Sequence, residues 1–198
     1  MALVKTLQKH SIVLASSSQR RIDMLKENGY QPKIISPDVE ENMPQGITPQ
    51  EGVMFLALKK ALSVEALCED GDLILAADTI VLLDEIIGKP LSQDDAYRIL
   101  TQLNGKTHRV LTGVAIVKAK TLKRVAFYET TYVTFKKYSE KNIRDYIQTN
   151  EPYDKAGGYA IQGSFGKYVD HIQGDRDNVI GLPWKRVEDE LNKIEAGI

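Results

Sequence analysis

The sequence predicts an α/β protein in which a mixed, twisted β-sheet is flanked by helices. Short apolar runs typical of buried strands alternate along the chain with capped helical patterns. The run at 72–84 is almost continuously aliphatic, as in a central strand, and the runs at 108–118 and 124–137 follow each other as in an antiparallel hairpin. The 198 residues are therefore predicted to form a single domain, 1–198.

Helix signals are clearest in the first half of the chain. Ser18 is a candidate N-cap and Gly29 a candidate helix end, while Thr48-Pro49-Gln50-Glu51 is a capping box with proline at the first helical position. We expect strands at 11–15, 32–36 and 72–84, and helices at 18–29, 48–68 and 92–105. After the hairpin we expect a helix at 139–150, a glycine-rich loop at 156–169 leading into a short strand, and a helix at 183–195.

Composition excludes several classes of protein. The 26 Lys and Arg residues nearly balance the 27 Asp and Glu residues, and a net charge of −1 argues against general nucleic-acid binding. The single cysteine, Cys68, cannot form an internal disulfide, and the longest apolar stretch, at 73–83, is too short to span a bilayer. We therefore expect a cytoplasmic protein without a stable nucleic-acid or membrane partner.

Two arginines stand where a helix normally avoids positive charge. If Ser18 is the N-cap, Arg20 and Arg21 lie in the first turn, where the helix dipole is already positive. A bound anion would compensate this charge, and hydroxyls from Ser16 onward would add hydrogen bonds to a phosphate. The alternative is that both side chains are simply solvated on the helix surface.

Carboxylates form the second anomaly. Asp78 interrupts the most apolar strand, so it needs a cation, a metal ion or several hydrogen-bond donors. An acidic group of Asp38, Glu40 and Glu41 follows the strand predicted at 32–36, and one of these acids could join Asp78 in binding Mg²⁺ or Mn²⁺. A structural ion pair for Asp78 and an ordinary acidic surface loop are the alternatives.

Lysines lie near the same predicted strands. Lys59 and Lys60 are neighbours on the second helix, whose apolar character does not decide which of them points inward, and Lys89 follows the central strand closely. Arginines and serines suit phosphate, acids suit a divalent metal, and lysines suit a highly charged anion. A nucleoside triphosphate is therefore the simplest ligand that the residues indicate.

Six motifs in order resemble the Maf family of nucleoside triphosphate pyrophosphatases. They are LASSSQRR (14–21), AADTIV (76–81), GKP (88–90), LNGKTHRVLTGV (103–114), DKAGGYAIQG (154–163) and NVIGLP (178–183). The resemblance implies an elongated, two-lobed fold related to the inosine-triphosphate pyrophosphatases, a homodimer, and a substrate cleft between the lobes. It also implies hydrolysis of a nucleoside triphosphate to the monophosphate and pyrophosphate with a divalent metal.

The resemblance assigns roles to particular residues. Asp78 aligns with the family's catalytic proton acceptor, and the residues that align with its phosphate- and metal-handling groups are Ser16, Arg20, Arg21, Glu41, Lys60 and Lys89. Three residues align with positions that determine substrate specificity: Arg20, Thr79 and Gln162. At these positions the chain resembles the members that are dTTP/UTP pyrophosphatases. Gln19 stands where the family usually has proline.

Two alternatives to a dTTP/UTP pyrophosphatase remain. One is a pyrophosphatase for 7-methyl-GTP or another modified nucleotide, and the other is a regulatory binding protein of cell division.

Overall fold

The computed structural model describes residues 11–196, so residues 1–10 and 197–198 of the predicted domain lie outside the description. The strands are β1 (Ile12–Leu14), β2 (Lys33–Ile34), β3 (Leu73–Leu82), β4 (Ile86–Ile87), β5 (Thr107–Lys118), β6 (Arg124–Phe135) and β7 (Val169–Gln173). The helices are α1 (Gln19–Glu27), α2 (Pro49–Val64), α3 (Gln93–Leu103), α4 (Glu140–Ile147), α5 (Arg176–Ile180) and α6 (Trp184–Ala196). Among the described residues, no helix combines the length and apolar character needed to cross a membrane.

The strands form one seven-stranded mixed sheet, which confirms the predicted fold class. Its order is β2-β1-β3-β5-β6-β7, with β4 paired to β3 beside this path. β1 is parallel to β2 and β3, and the remaining pairs are antiparallel. The predicted hairpin is β5–β6, and the strand expected after the glycine-rich loop is β7. The predicted two-lobed, elongated form and the homodimer stay predictions.

Local sequence signals explain most of the helix boundaries. The side chain of Thr48 accepts a hydrogen bond from the Glu51 amide and the Glu51 side chain accepts one from the Thr48 amide, so the predicted capping box is present. α2 ends at Val64, earlier than the sequence predicts, because the chain tightens into a 3-10 turn over Glu65–Leu67. α1 begins at Gln19 without the proline usual in the resembled family.

Helices cover both faces of the sheet and bury its apolar side chains. α2 packs on one face, where Ala57 and Ala61 meet Val13, Ile74 and other small or aliphatic side chains. α1 and α6 pack on the opposite face around Leu14, Leu25, Leu75, Trp184 and Leu191. Each fully buried leucine contributes about 1.5–3 kcal/mol to the free energy of unfolding.

The central strand β3 has one uncovered stretch of edge. β1 pairs with Leu73–Leu75 and β4 with Val81–Leu82, so on that side residues 76–80 pair with no strand of the described chain, 11–196. Successive side chains of a strand point to opposite faces, so the neighbours Asp78 and Thr79 at this edge lie on opposite faces of β3. A crevice beyond the carboxyl end of a parallel strand such as β1 is a common ligand site in α/β sheets.

Candidate active site

A cleft of about 430 Å³ opens at the uncovered edge of β3. All of the residues to which the family resemblance assigns a role line it: Ser16, Arg20, Arg21, Glu41, Lys60, Asp78, Thr79, Lys89 and Gln162. They come from separate parts of the chain, so the fold brings together what the sequence separates. Their chemical roles stay predictions.

The amino end of α1 forms one wall of the cleft. Ser18 occupies the N-cap position, as the sequence predicts, but its side chain makes no capping hydrogen bond, and the first turn holds no acidic residue. Ser16 is buried, and its Oγ accepts a hydrogen bond from the Ser18 amide at 3.2 Å. Residues 16–21 line the cleft, so the positive end of the α1 dipole lies beside it, an arrangement suited to an anion.

Arg21 is held by three hydrogen bonds from its guanidinium group. Nε donates to the Gly181 carbonyl at 2.8 Å, Nη1 to Ser16 Oγ at 3.3 Å and Nη2 to Thr79 Oγ1 at 3.1 Å. Burial lowers the pKa of Arg21 to about 10, although the nearby carboxylate of Asp78 counteracts this effect. Arg21 therefore remains a fixed cation at neutral pH, and it joins α1, β3 and the chain before α6.

Arg20 points to the other side of the cleft. Its Nη1 lies 3.5 Å from Asp154 Oδ2, and both side chains reach solvent. An exposed ion pair of this kind contributes little to stability. Little free energy therefore holds Arg20 to Asp154.

At the floor of the cleft, an ammonium group lies between two carboxylates. Lys60 Nζ is 2.6 Å from Asp78 Oδ1 and 2.7 Å from Glu41 Oε1, and Lys60 and Asp78 are both buried. Lys59 instead donates to the backbone carbonyl of Glu40 at 2.8 Å. The structure thus places Lys60, and not Lys59, at the site. It also gives Asp78 the ion pair that its burial requires.

The acidic group after β2 contributes one residue to the cleft. Of Asp38, Glu40 and Glu41, only Glu41 lines it. Partial burial would raise the pKa of Glu41, but the hydrogen bond and charge of Lys60, with the charges of Lys89 and Arg21, bring this pKa below its usual value. Glu41 is consequently a carboxylate at neutral pH.

Asp78 and Glu41 suit a divalent cation that is shared with a substrate. Lys60 contacts one oxygen of each carboxylate and leaves the other oxygen for a further cation. Among residues 11–196, no three His, Cys, Asp or Glu side chains form a group that could hold a metal by themselves. Mg²⁺ typically binds through one or two carboxylates together with substrate phosphates, and this donor set fits that pattern.

Thr79 and Gln162 both line the cleft, one from strand β3 and the other from the glycine-rich loop. Thr79 lies on the face of β3 away from Asp78, as strand alternation predicts, and contacts Arg21 instead of Lys60. Gln162 lies in the loop before Ser164, whose amide and hydroxyl both donate to Glu151 Oε2. A side chain at Gly163 would overlap the Glu151 carboxylate, which would then have to move away from Ser164.

The comparison with known families identifies the chain. The model of the family described as Maf-like protein matches residues 11–194. The chain belongs to the Maf family. The resemblance stated from six motifs is therefore confirmed.

Relatives within the Maf family cover nearly the whole chain. A protein of Pelotomaculum thermopropionicum named dTTP/UTP pyrophosphatase is 44% identical over 92% of this chain and 96% of its own length. Proteins of the same name from Bacillus cereus (45%, covering 94% and 97%) and Clostridioides difficile (41%, covering 92% and 94%) are also similar. The solved Staphylococcus aureus Ham1 protein overlaps 63% of this chain and 71% of its own, with 16% identity and a TM-score of 0.43. The relation to inosine-triphosphate pyrophosphatases stays a prediction.

Two charged residues of this Maf-family cleft were not identified from the sequence. Asp154 and Lys155 both line it, and Lys155 Nζ also donates to the Glu151 carbonyl at 2.6 Å. In a polar loop, an Asp-Lys pair is indistinguishable from solvated surface charge. Their only signal is that they open the motif DKAGGYAIQG.

Proposed function

We propose that this protein hydrolyses dTTP and UTP to the monophosphate and pyrophosphate, with water attacking the α-phosphorus. The observation that carries the proposal is the buried Asp78 carboxylate, paired with Lys60, on the floor of a predominantly cationic cleft. The names of the relatives support the same substrates. The cleft volume of about 430 Å³ is also within the range of small-molecule sites.

The cationic lining would bind the triphosphate. Arg20, Arg21, Lys60, Lys89 and Lys155 face the carboxylates of Glu41, Asp78 and Asp154 in the lining, leaving an excess of positive charge. Fixed cations and the amides of α1 would stabilise the charge that moves onto the pyrophosphate leaving group. Arg21 needs little reorganisation for this role because three hydrogen bonds already fix it.

Asp78 and Glu41 would hold Mg²⁺ or Mn²⁺ through the oxygens that Lys60 leaves uncontacted. Such a cation supplies positive charge to the phosphate oxygens and makes nearby water more acidic. The remaining lone pair of that Asp78 oxygen would orient the attacking water and accept its proton. Lys60 would keep the Asp78 carboxylate in place and compensate its negative charge.

Base selection would involve Thr79 and Gln162. A glutamine amide offers both a donor and an acceptor, so Gln162 can pair with the polar edge of a pyrimidine. The Glu151–Ser164 contacts fix the loop that carries it. Arg20, the third specificity position, would act at the phosphate end, where it can leave Asp154.

A product assay tests this proposal. The purified protein, with Mg²⁺ or Mn²⁺, should release pyrophosphate and not orthophosphate, chiefly from dTTP and UTP among a set that includes CTP, GTP and 7-methyl-GTP. Asp78→Asn should abolish turnover while keeping the fold and nucleotide binding by calorimetry. Asp189→Asn, on an exposed part of α6, is the matched control and should leave turnover unchanged. Orthophosphate release, or full turnover by a folded Asp78→Asn protein, would refute the proposal.

A further inference from the structure

Three buried polar residues behind the cleft have no role in the mechanism above. Thr112, Thr131 and Asn178 are each 0% exposed and lie on β5, β6 and α5. Burying polar groups without function or compensation is costly, so their hydrogen bonds need an explanation. One of them, Thr112, lies directly opposite Thr79 in the β3–β5 pairing.

A chain of hydrogen bonds links Arg21 to the backbone of α5. Arg21 Nη2 donates to Thr79 Oγ1 at 3.1 Å, Thr79 Oγ1 lies 2.9 Å from Thr112 Oγ1, and Thr112 Oγ1 donates to the Asn178 carbonyl at 3.0 Å. Gly181 also connects Arg21 directly to the Asn178 carbonyl, so the hydrogen bonds form a closed ring. The Gly181 amide donates to the Asn178 carbonyl at 3.1 Å, and the Gly181 carbonyl accepts from Arg21 Nε at 2.8 Å.

The chemistry of the two ends fixes the direction of this chain. A guanidinium group can only donate and a carbonyl can only accept. Thr112 therefore donates its one hydroxyl hydrogen to the Asn178 carbonyl. The hydrogen bond between the two threonines must then be donated by Thr79 and accepted by Thr112. Within the cleft, Thr79 consequently offers a lone pair and no hydrogen.

We propose that Thr112 is a positioning residue for nucleotide selectivity, because it holds the Thr79 hydroxyl as a hydrogen-bond acceptor toward the base. This inference rests on the proposed function and deepens it. Uracil and thymine carry a hydrogen on ring nitrogen N3, whereas cytosine has a lone pair there. Facing ring position N3, an acceptor on Thr79 complements uracil and thymine and opposes cytosine. Sites built to bind one hydrogen-bond pattern reject the analogue that lacks it.

Removing the Thr112 hydroxyl should change selectivity rather than only stability. In Thr112→Val the side chain keeps its shape, but the Thr79 hydrogen loses its acceptor and can turn into the cleft toward cytosine N3. We expect the ratio of kcat/KM for UTP to that for CTP to fall about fivefold, the effect of one neutral hydrogen bond. Thr112→Ser keeps the hydroxyl and should retain the wild-type ratio.

Thr131→Val is the matched control. Thr131 is as buried as Thr112 and bonds to Asp175 and Asn178, but it does not contact Thr79. Its loss should destabilise the same region and leave the UTP-to-CTP ratio unchanged. Circular dichroism and thermal unfolding would verify the fold of each variant, and Thr112→Ala gives the same readout if Thr112→Val does not fold.

A double-mutant cycle completes the test. Thr79→Val should itself lower the UTP-to-CTP ratio, and adding Thr112→Val to it should have no further effect on the ratio, because no hydroxyl remains to be oriented. An unchanged ratio in folded Thr112→Val, an equal change in Thr131→Val, or additive effects in the cycle would each overturn the inference. If the wild-type protein does not convert UTP to UMP and pyrophosphate, the proposed function itself fails, which is a separate result.

Discussion

Replacing Lys60 by methionine should destabilise the protein strongly, because Lys60 is the only described side chain that pairs with the Asp78 carboxylate. Their side chains are 8% and 10% exposed, and the two charged atoms lie 2.6 Å apart. Breaking a buried ion pair by removing one partner costs about 3–5 kcal/mol. The lower end applies, since the cleft gives Asp78 some access to water. A loss of about 3 kcal/mol would lower the Tm of a chain of this size by about 6–12 °C.

Chemical and thermal unfolding of four proteins would measure this effect. Lys59→Met is the matched control, because Lys59 only donates to the exposed Glu40 carbonyl, and it should cost no more than about 0.5 kcal/mol. Adding Asp78→Asn to Lys60→Met should restore at least about 1 kcal/mol, since it removes the unpaired charge. The reasoning is refuted if Lys60→Met costs less than about 1 kcal/mol, or if the added Asp78→Asn restores no stability.

Three further predictions concern packing, pH and selectivity. A Cβ on Gly113 would lie 2.3 Å from the backbone of Val53, so Gly113→Ala should lower the free energy of unfolding, measured in urea, by about 3 kcal/mol. Gly88→Ala is the control and should be nearly neutral, because a Cβ there has nothing within 4 Å. Burial lowers the pKa of His108 to about 4, so the unfolded chain binds more protons between pH 4 and pH 6.5. Stability should therefore fall by about 2 kcal/mol from pH 7 to pH 5, and His108→Gln should remove this part of the pH dependence. Gln162→Ala should reduce kcat/KM for dTTP and UTP more than for GTP, and equal losses for all nucleotides would contradict its role at the base.

The sequence predicted the long elements because their patterns repeat over many residues. β3 is an apolar run of 10 residues, β5 and β6 are strand-like runs of 12 residues each, and the start of α2 has a complete capping box. β4, with two residues, and α5, with five, are too short to show a period and were not predicted. Such short elements depend on contacts with distant parts of the chain.

The site was predictable where a residue violates a local rule. Asp78 in an apolar strand, and Arg20 and Arg21 at the amino end of a helix, are out of place unless something compensates them. The choice of Lys60 over Lys59 came only from the family resemblance, because α2 is apolar on too many sides for periodicity to decide it. Thr112 gave no signal beyond its place in the motif LNGKTHRVLTGV, since threonine is common in strands.

The contact between Arg21 and Gly181 has a consequence for the synthesis of the protein. The two residues are 160 positions apart, so the acceptor for Arg21 Nε does not exist until nearly the whole chain has been made. At about 5–20 residues per second, the interval between the two is on the order of 10–30 s. During that time the serine and arginine segment after β1 is present without its final support. The cleft therefore has its final geometry only after residue 181 has been synthesised. A chain that terminates before this residue lacks the support of Arg21 as well as the last helix.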